Sequence, residues 1–409
     1  MGLKKLNHKN QKRFSQLLKE ATHKLNIGQY QQALVDYEKI YQLTHDPRSL
    51  QLKGLCFYKI NLLDESVRAS ELALLKFKQL GQRDIPSLEN LTEVYGIKGD
   101  DEKSRYYGQQ CLQAKDSLVV TKKVNAQAYD VKPLVGTKRI FSFSLYGASP
   151  RYCENALLNV QAASEIFPDF ICRFYVDDSV PLHVRERLLQ EKAEVVQVSN
   201  AFASLPGTMW RFLALDDAEV ELVICRDADS VISIRERAIV QEWLQSDFSA
   251  HIIRDFPSHC ELLLAGLFAL KNGVVHSVGD AMLSFLEGNK VGRYTDQQFL
   301  RSFIWPQIKG VALTHDRCFQ YGQNLGLEQL DLPESSTDHI GANLGSKSIQ
   351  LQSNLKDGTK IRFYFVLEKA QRFGPYPALV NNKSWSSPIP EAYISLLNDK
   401  RITIEWEAV

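Results

Sequence analysis

Asp227 and Asp229 stand one residue apart in Arg226-Asp227-Ala228-Asp229-Ser230, directly after the apolar residues Val220, Leu222, Val223, Ile224 and Cys225. That run reads as a buried strand, and the turn leaving it can bring both carboxylates toward one site. Two carboxylates so close repel each other in a partly dry cleft unless a cation lies between them. A hard divalent ion, Mn2+ or Mg2+, is the natural neutraliser. It takes a couple of carboxylates and fills its remaining positions with phosphate oxygens and water, which is how such ions hold diphosphates. Helix capping and plain solvent exposure are the competing readings of an isolated acidic pair.

The flanking pattern predicts what positions this pair. "RIFSFSLYG", Arg139 to Gly147, is β-rich and stops at a glycine, and "YCENALLNVQAASEIFP" after it reads as a helix. A second strand, Phe170 to Asp178, a helix in "PLHVRERLLQEK" and a short strand in "AEVVQVS" complete a βαβαβ order. The expected fold class is therefore α/β, a mostly parallel sheet with helices on both faces, whose ligands bind beyond the carboxyl ends of the strands. Ser144, Leu145, Tyr146 and Gly147 lie at the first such end and become candidates for contacting a nucleotide. An ordinary βα turn would look the same. The chain has neither GxGxxG after the first strand nor GxxxxGK[ST], so the dinucleotide and P-loop readings lose their main support.

Four further sets of residues have chemical potential. Arg226 flanks the acidic pair, and Arg211, between Trp210 and Phe212 in a helix-like stretch, has a guanidinium suited to a donor phosphate. Arg254-Asp255 ends another strand-like run, with His259 close behind; these would line a sugar pocket or form an internal ion pair. Gly266 would let a sugar approach the backbone, or serve packing. Asp296 and Gln297 follow Thr295, a good N-cap, and open a helical run. Asp296 can act as a general base toward an acceptor hydroxyl, or either residue can stabilise an oxocarbenium-like transition state; helix-dipole complementation is the bland alternative.

"VICRDADSVI" resembles the DxD strand end of GT-A type glycosyltransferases, whose Mn2+ or Mg2+ ion grips the diphosphate of a nucleotide-sugar donor. "LLLAGLFAL" (Leu262 to Leu270), "YTDQQFL" (Tyr294 to Leu300) and "DHIGANLGSK" (Asp338 to Lys347) follow in the order such enzymes show. The last two are similar to the Asp-Gln and His-x-x-Gly motifs of the retaining galactosyl- and glucosyltransferases related to glycogenin, over roughly residues 138–347. The chain departs from that pattern in lacking the Lys-Pro-Trp ending after His339. The resemblance implies Asp227, Asp229 and His339 as metal ligands and a nucleoside diphosphate sugar as donor, transferred to a hydroxyl of a glycan or protein.

Residues 10–117 read almost continuously at helical period. One pattern recurs three times: Gly28-x-Tyr30-x-x-Ala33, Asn61-x-Leu63-x-x-Ser66 and Gly99-x-Asp101-x-x-Ser104, each with a small residue seven positions earlier, Ala21, Gly54 and Thr92. The spacings of 33 and 38 residues bracket the 34 of a tetratricopeptide unit. These segments look like degraded tetratricopeptide repeats, a resemblance that implies partner binding or self-association. The expected organisation is a helical repeat domain over 1–117, a linker over 118–137, a GT-A-like domain over 138–347 and an extension over 348–409.

Across 409 residues, 44% are hydrophobic and 24% charged, which fits folded domains. Lys and Arg total 49 against 48 Asp and Glu, so no global field draws the chain to nucleic acid. Seven cysteines without a CxxC pair read as reduced thiols. No apolar h-region follows the basic start, and no stretch of about 18 apolar residues suggests a transmembrane span. The expected location is cytoplasmic, free or peripheral at the inner membrane, and the expected setting is bacterial surface-polysaccharide or glycoconjugate synthesis. Two rivals remain: a nucleotidyltransferase, and a non-catalytic repeat scaffold with a degenerate nucleotide-sugar-binding domain.

Overall fold

The computed structural model describes residues 8–119, 136–325, 338–367 and 371–409. The expected linker lies almost wholly outside them. The fold is mixed α/β: an N-terminal helical region followed by a largely parallel sheet. The chain forms two compact units, one comprising Met1–Val120 with Arg254–Leu262 and Asp316–Asn324, the other the remainder.

Six helices build the first unit: α1 (His8–Asn26), α2 (Tyr30–Thr44), α3 (Pro47–Lys59), α4 (Leu63–Gln79), α5 (Ile85–Ile97) and α6 (Asp101–Leu118). Gly28, Asn61 and Gly99, the three repeat positions, all take positive φ (78, 61 and 74°) in the turns between paired helices. Only glycine, and next to it asparagine, occupies that region at little strain, so these residues fix where each hairpin bends. The small residues then set how closely the helices cross. Ala21 and Ala33 are both fully buried, Ser66 Oγ donates to the carbonyl of Gly54 at 2.8 Å, and Ser104 Oγ donates to that of Thr92 at 2.9 Å. Aspartate side chains cap three of the helices, Asp46 for α3, Asp84 for α5 and Asp100 for α6.

The last helix is also a clamp within its unit. Lys115, 1% exposed, forms ion pairs with Glu89 (2.6 Å) and Glu261 (3.0 Å) and donates to the carbonyl of Cys260. Gln109 Nε2 donates to the carbonyl of Phe319 at 2.8 Å, and the ring of Phe319 lies where a side chain at Gly108 would stand.

In the second unit β1 (Lys138–Leu145), α7 (Pro150–Ile166), β2 (Phe170–Val176), α8 (Leu182–Gln190) and β3 (Glu194–Gln197) follow the predicted βαβαβ order. A 3-10 stretch, Gly207–Asp216, leads to β4 (Val220–Arg226), α9 (Ile234–Gln245), β5 (Ala250–Arg254) and β6 (Leu267–Lys271). Then come α10 (Val278–Gly288), α11 (Thr295–Phe299), a π-helical turn at Leu300–Ile304, α12 (Trp305–Ile308) and β7 (Ala312–Asp316); β8 (Gln323–Leu325) follows in the chain, all but Leu325 of it belonging to the first unit. The sheet order is β3-β2-β1-β4-β6-β5-β7-β8. β3, β2, β1 and β4 run parallel, whereas β6 is antiparallel to both β4 and β5. Parallel strands covered on both faces are largely apolar, as Leu222 to Cys225 are, and as Ile140 to Leu145 are except for the buried Ser142 and Ser144.

Residues 347–409 form β9 (Lys347–Gln352), β10 (Lys360–Leu367), β11 (Arg372–Leu379), β12 (Ser384–Ile389), α13 (Glu391–Asn398) and β13 (Ile402–Ala408), arranged as a β11-β10-β13 sheet and a β12-β9 pair. Phe363, Tyr376 and Trp385 belong to one core with Phe141, Leu157 and Phe174. The seam has a polar bolt. Glu154 of α7, fully buried, takes both guanidinium nitrogens of Arg187 (2.7 and 3.0 Å) and the hydroxyls of Tyr376 and Tyr393. An unpaired buried carboxylate would be costly, and four donors offset that.

Candidate active site

The acidic pair lies where the apolar strand β4 ends. Its neighbour Arg211, 4% exposed, is held on β1: its amide donates to Ser144 Oγ (2.9 Å) and its carbonyl accepts from Ser142 Oγ (2.7 Å). From there the guanidinium donates to the carbonyl of Arg226 at 3.0 Å, pairs with Oδ1 of Asp227, and lies 3.4 Å from Asp296 Oδ2. The side chain of Asp227 is nevertheless 53% exposed, against 9% for Asp296. Gly266 makes room for it, because a Cβ there would run into the Asp227 carboxylate.

Asp229 has an arginine of its own. Arg151, in the first turn of α7, gives Nε (3.1 Å) and a terminal nitrogen (2.6 Å) to Asp229 Oδ2. The two carboxylates therefore do not depend on a metal for neutralisation, which amends the sequence argument: each faces a guanidinium. Burial alone would raise the Asp227 carboxyl, but the charge and hydrogen bond of Arg211 outweigh it and hold the group below its ordinary value. Burial, reinforced by the charge of Asp227, raises Asp229 despite Arg151. Burial also raises Asp296, against the pull of Arg211.

Thr295 does not cap the helix that opens at Asp296. It lies inside α11, whose N-cap is Tyr294, and its hydroxyl is tied to the backbone of Gly292. Gln297, with its amide oriented to match donors to acceptors, donates to the carbonyl of Leu263 (2.9 Å) and accepts from the amide of Ala265 (2.7 Å), so it holds the backbone leading to Gly266.

The segment with His339 reaches the same turn: the amide of Leu344 donates to the carbonyl of Asp229 at 2.9 Å, and Ile340 and Leu267 share an apolar cluster. Among the described residues no group of three or more His, Cys, Asp and Glu side chains is gathered as a metal site. Lys347 lies on β9, 3.9 Å from Glu391.

The strand-end loop divides its labour. Ser144 positions Arg211, Leu145 is buried, and Gly147, at φ 75°, donates its amide to Ser179 Oγ at 2.6 Å. Tyr146, 43% exposed and edge-on to Trp210, is the side chain of the four that a planar ligand could meet. Arg226 faces inward, 1% exposed, paired with Glu236 at 2.7 Å and donating to Ser230 Oγ at 2.8 Å, so it braces the acidic turn from within.

Arg254, Asp255 and His259 belong to the helical unit. Arg254 is fully buried and donates to the carbonyls of Glu261, Leu262 and Tyr321 and to Asp316 Oδ2. Asp255 pairs with Arg317 at 3.1 Å, and His259 Nδ1 accepts from the Asp255 amide. Of the two readings of this set the contacts favour the internal ion pair, because the guanidinium is fully buried and four of its five N–H groups are taken within the protein. Arg151 escaped the sequence reading although it opens the first helix after β1, a position where a basic side chain meets strand-end ligands.

No protein-family model and no curated protein matches the chain. Among solved structures, the galactosyltransferase LgtC in complex with donor and acceptor sugar analogs aligns at 16% identity over 44% of this chain and 73% of its own, with TM-score 0.31. A 4-diphosphocytidyl-2C-methyl-D-erythritol synthase from Anaerococcus prevotii aligns at 12% identity over 41% and 85%, TM-score 0.30. A glucosyl-3-phosphoglycerate synthase from Mycobacterium tuberculosis, in complex with Mg2+ and uridine diphosphate, aligns at 12% over 63% and 92%, TM-score 0.26. Likeness at this level decides nothing about chemistry, which rests on the site itself. No helix among the described residues is long and apolar enough to cross a membrane.

Proposed function

We propose that the chain is a nucleotide-sugar-dependent glycosyltransferase, acting at the acidic turn after β4 on a hydroxyl of a glycan or protein. The observation that carries this reading is the half-exposed Asp227 carboxylate, facing a glycine at 266, anchored by the buried Arg211 and followed by the Asp229–Arg151 pair. Asp227 is thus fixed by a buried arginine and still open on its other side.

The donor set suits Mn2+ or Mg2+. Each arginine takes one carboxylate oxygen, so Asp227 Oδ2 and Asp229 Oδ1 are the oxygens that would hold an ion, its other positions going to phosphate oxygens and water; His339 lies on the adjoining segment but is not gathered with them into a three-ligand group. A bound ion would supply Lewis-acid charge at the departing diphosphate. The chain's own residues do the rest. Arg211 and Arg151 set positive charge beside the diphosphate, where it offsets the charge that develops as the glycosidic bond breaks. Tyr146 offers its ring to the base. Asp296, fixed by Arg211, is the carboxylate assigned to the reacting centre, and Gln297 holds the Leu263–Gly266 backbone against which the acceptor lies.

The helical unit is proposed to contact a protein partner or a second copy; Val35 and Tyr106, 54% and 59% exposed, are side chains such a contact would cover. The enzymatic reading is tested by transfer of radiolabelled sugar from UDP- and GDP-sugars, with and without chelator. Transfer by the native chain that vanishes with chelator and in Asp229→Asn supports it. Full transfer by that variant refutes the role of the acidic pair.

A further inference from the structure

Behind the acidic turn sits a side chain that reaches neither carboxylate nor solvent. Asn159, fully buried in the middle of α7, donates Nδ2 to the carbonyl of Ala228 at 3.2 Å and accepts the amide of Ile232 on Oδ1 at 3.0 Å. Nδ2 also donates to the carbonyl of Asn155 one turn back, at 3.0 Å. Asparagine is a poor choice for a helix interior, because its amide competes with the backbone and loses freedom when buried. A planar group offering donor and acceptor side by side is what a loop needs when both its carbonyl and its N–H must be satisfied away from water. Aspartate keeps the acceptor alone, and leucine neither.

The geometry closes a loop around the metal-binding candidates. Ala228 lies between the two aspartates and Ile232 three residues beyond Asp229, so a single amide pins the turn on both sides of Asp229. The same helix, two turns earlier, carries the Arg151 that pairs with Asp229, and the carbonyl of Asp229 is held from the other side by the Leu344 amide. Helix α7 itself is fixed at Glu154 by Arg187, Tyr376 and Tyr393. One rigid element thus sets the backbone of the turn and the charge facing it.

We propose that Asn159 is a positioning residue: by bonding Ala228 and Ile232 it sets the mutual placement of the Asp227 and Asp229 carboxylates, and through it the affinity for a divalent cation with a nucleoside diphosphate. The assignment rests on the reading of the site given above. It differs from a packing role, in which any loss of stability would do.

The test uses the full chain with three substitutions, Asn159→Ala, Asn159→Asp and Val160→Ala. Val160 is the next residue of α7, 6% exposed in the same core, and its truncation removes packing without touching the turn. Two readouts are taken: amide hydrogen exchange over residues 227–233 in the ligand-free protein, and manganese affinity in the presence of UDP, followed by the electron-spin signal of the free ion. Asn159→Ala is expected to speed exchange of the Ile232 amide and to weaken manganese–UDP binding by about 10-fold or more. Asn159→Asp, which keeps the Ile232 contact, should exchange more slowly there than the alanine variant while still binding manganese–UDP more weakly than the native chain. Val160→Ala should lose melting temperature with neither change. Native-like manganese–UDP binding by Asn159→Ala, or an equal loss in Val160→Ala, overturns the assignment while leaving the site reading intact. A native chain that binds no manganese with UDP or with GDP overturns both.

Discussion

Two arginine–aspartate pairs stand at strand ends in this molecule and look alike on paper. Arg254 closes β5 and meets Asp316 at the close of β7, with both side chains at 0% exposure and the guanidinium shared among three carbonyls besides. Arg211 meets Asp227 beyond β4, and there the acid is 53% exposed. What separates the closed pair from the pair proposed to be functional is neither residue type nor strand-end position. It is whether an acceptor remains open after the arginine has been satisfied.

The sharpest way to break this contrast is to fill the space above the open acid. Gly266→Ala places a methyl against the Asp227 carboxylate and within 3.0 Å of its backbone nitrogen, so the acid must shift. Transfer, measured with labelled donor, should fall by about 100-fold or more while the melting temperature stays near native, since displaced catalytic groups lose rate steeply. Unchanged transfer would mean that the position of Asp227 does not matter.

The closed pair should respond in the opposite way. Arg254→Met leaves Asp316 buried and uncompensated and should cost about 3–5 kcal/mol of stability in urea unfolding, with the rate per folded molecule unchanged. A selective loss of transfer at native stability would return Arg254 to the site.

A second buried cluster adds a pH dependence. His251, stacked on Trp243, bonds His315 at 2.7 Å, and His315 bonds Glu242 at 3.0 Å. Burial, with the charge of His315, holds His251 well below its ordinary value near 6.5, and burial also lowers His315. The unfolded chain therefore takes up protons that the folded one refuses, so stability is full above about pH 6.5 and declines as pH falls toward the folded values. Melting temperature should drop between pH 7 and 5, and His251→Gln should flatten that slope; an unchanged slope would move the effect elsewhere. The smallest expected effect is in the helical unit, where Asn61→Ala at φ 61° should cost about 1 kcal/mol, read by the same unfolding curves.

Much of the architecture was legible because local rules and tertiary structure agree. The three αL turns at Gly28, Asn61 and Gly99, the small-residue crossings and the βαβαβ order all follow from period and turn chemistry. The acidic turn was legible for the same reason, standing at the end of an unmistakable apolar strand. What escaped depends on partners distant in sequence. Arg254 drew a reading and Arg151 did not, and only the fold shows that Arg151 meets Asp229 while Arg254 meets Asp316 and three carbonyls. The antiparallel entry of β6 was hidden in the continuous apolar run "LLLAGLFAL", where Leu262 to Gly266 are loop and the strand begins at Leu267. Thr295 looked like a cap because a side-chain hydroxyl before an acid usually is one, but Gly292 takes it first.

Calorimetric titration of the native chain with UDP- and GDP-sugars, with and without manganese, tests the central claim most directly. The account predicts that one sugar nucleotide binds when the ion is present, that binding is lost without it, and that Asp229→Asn removes it. Heat from nucleoside triphosphates alone, or none from any sugar nucleotide, would contradict it.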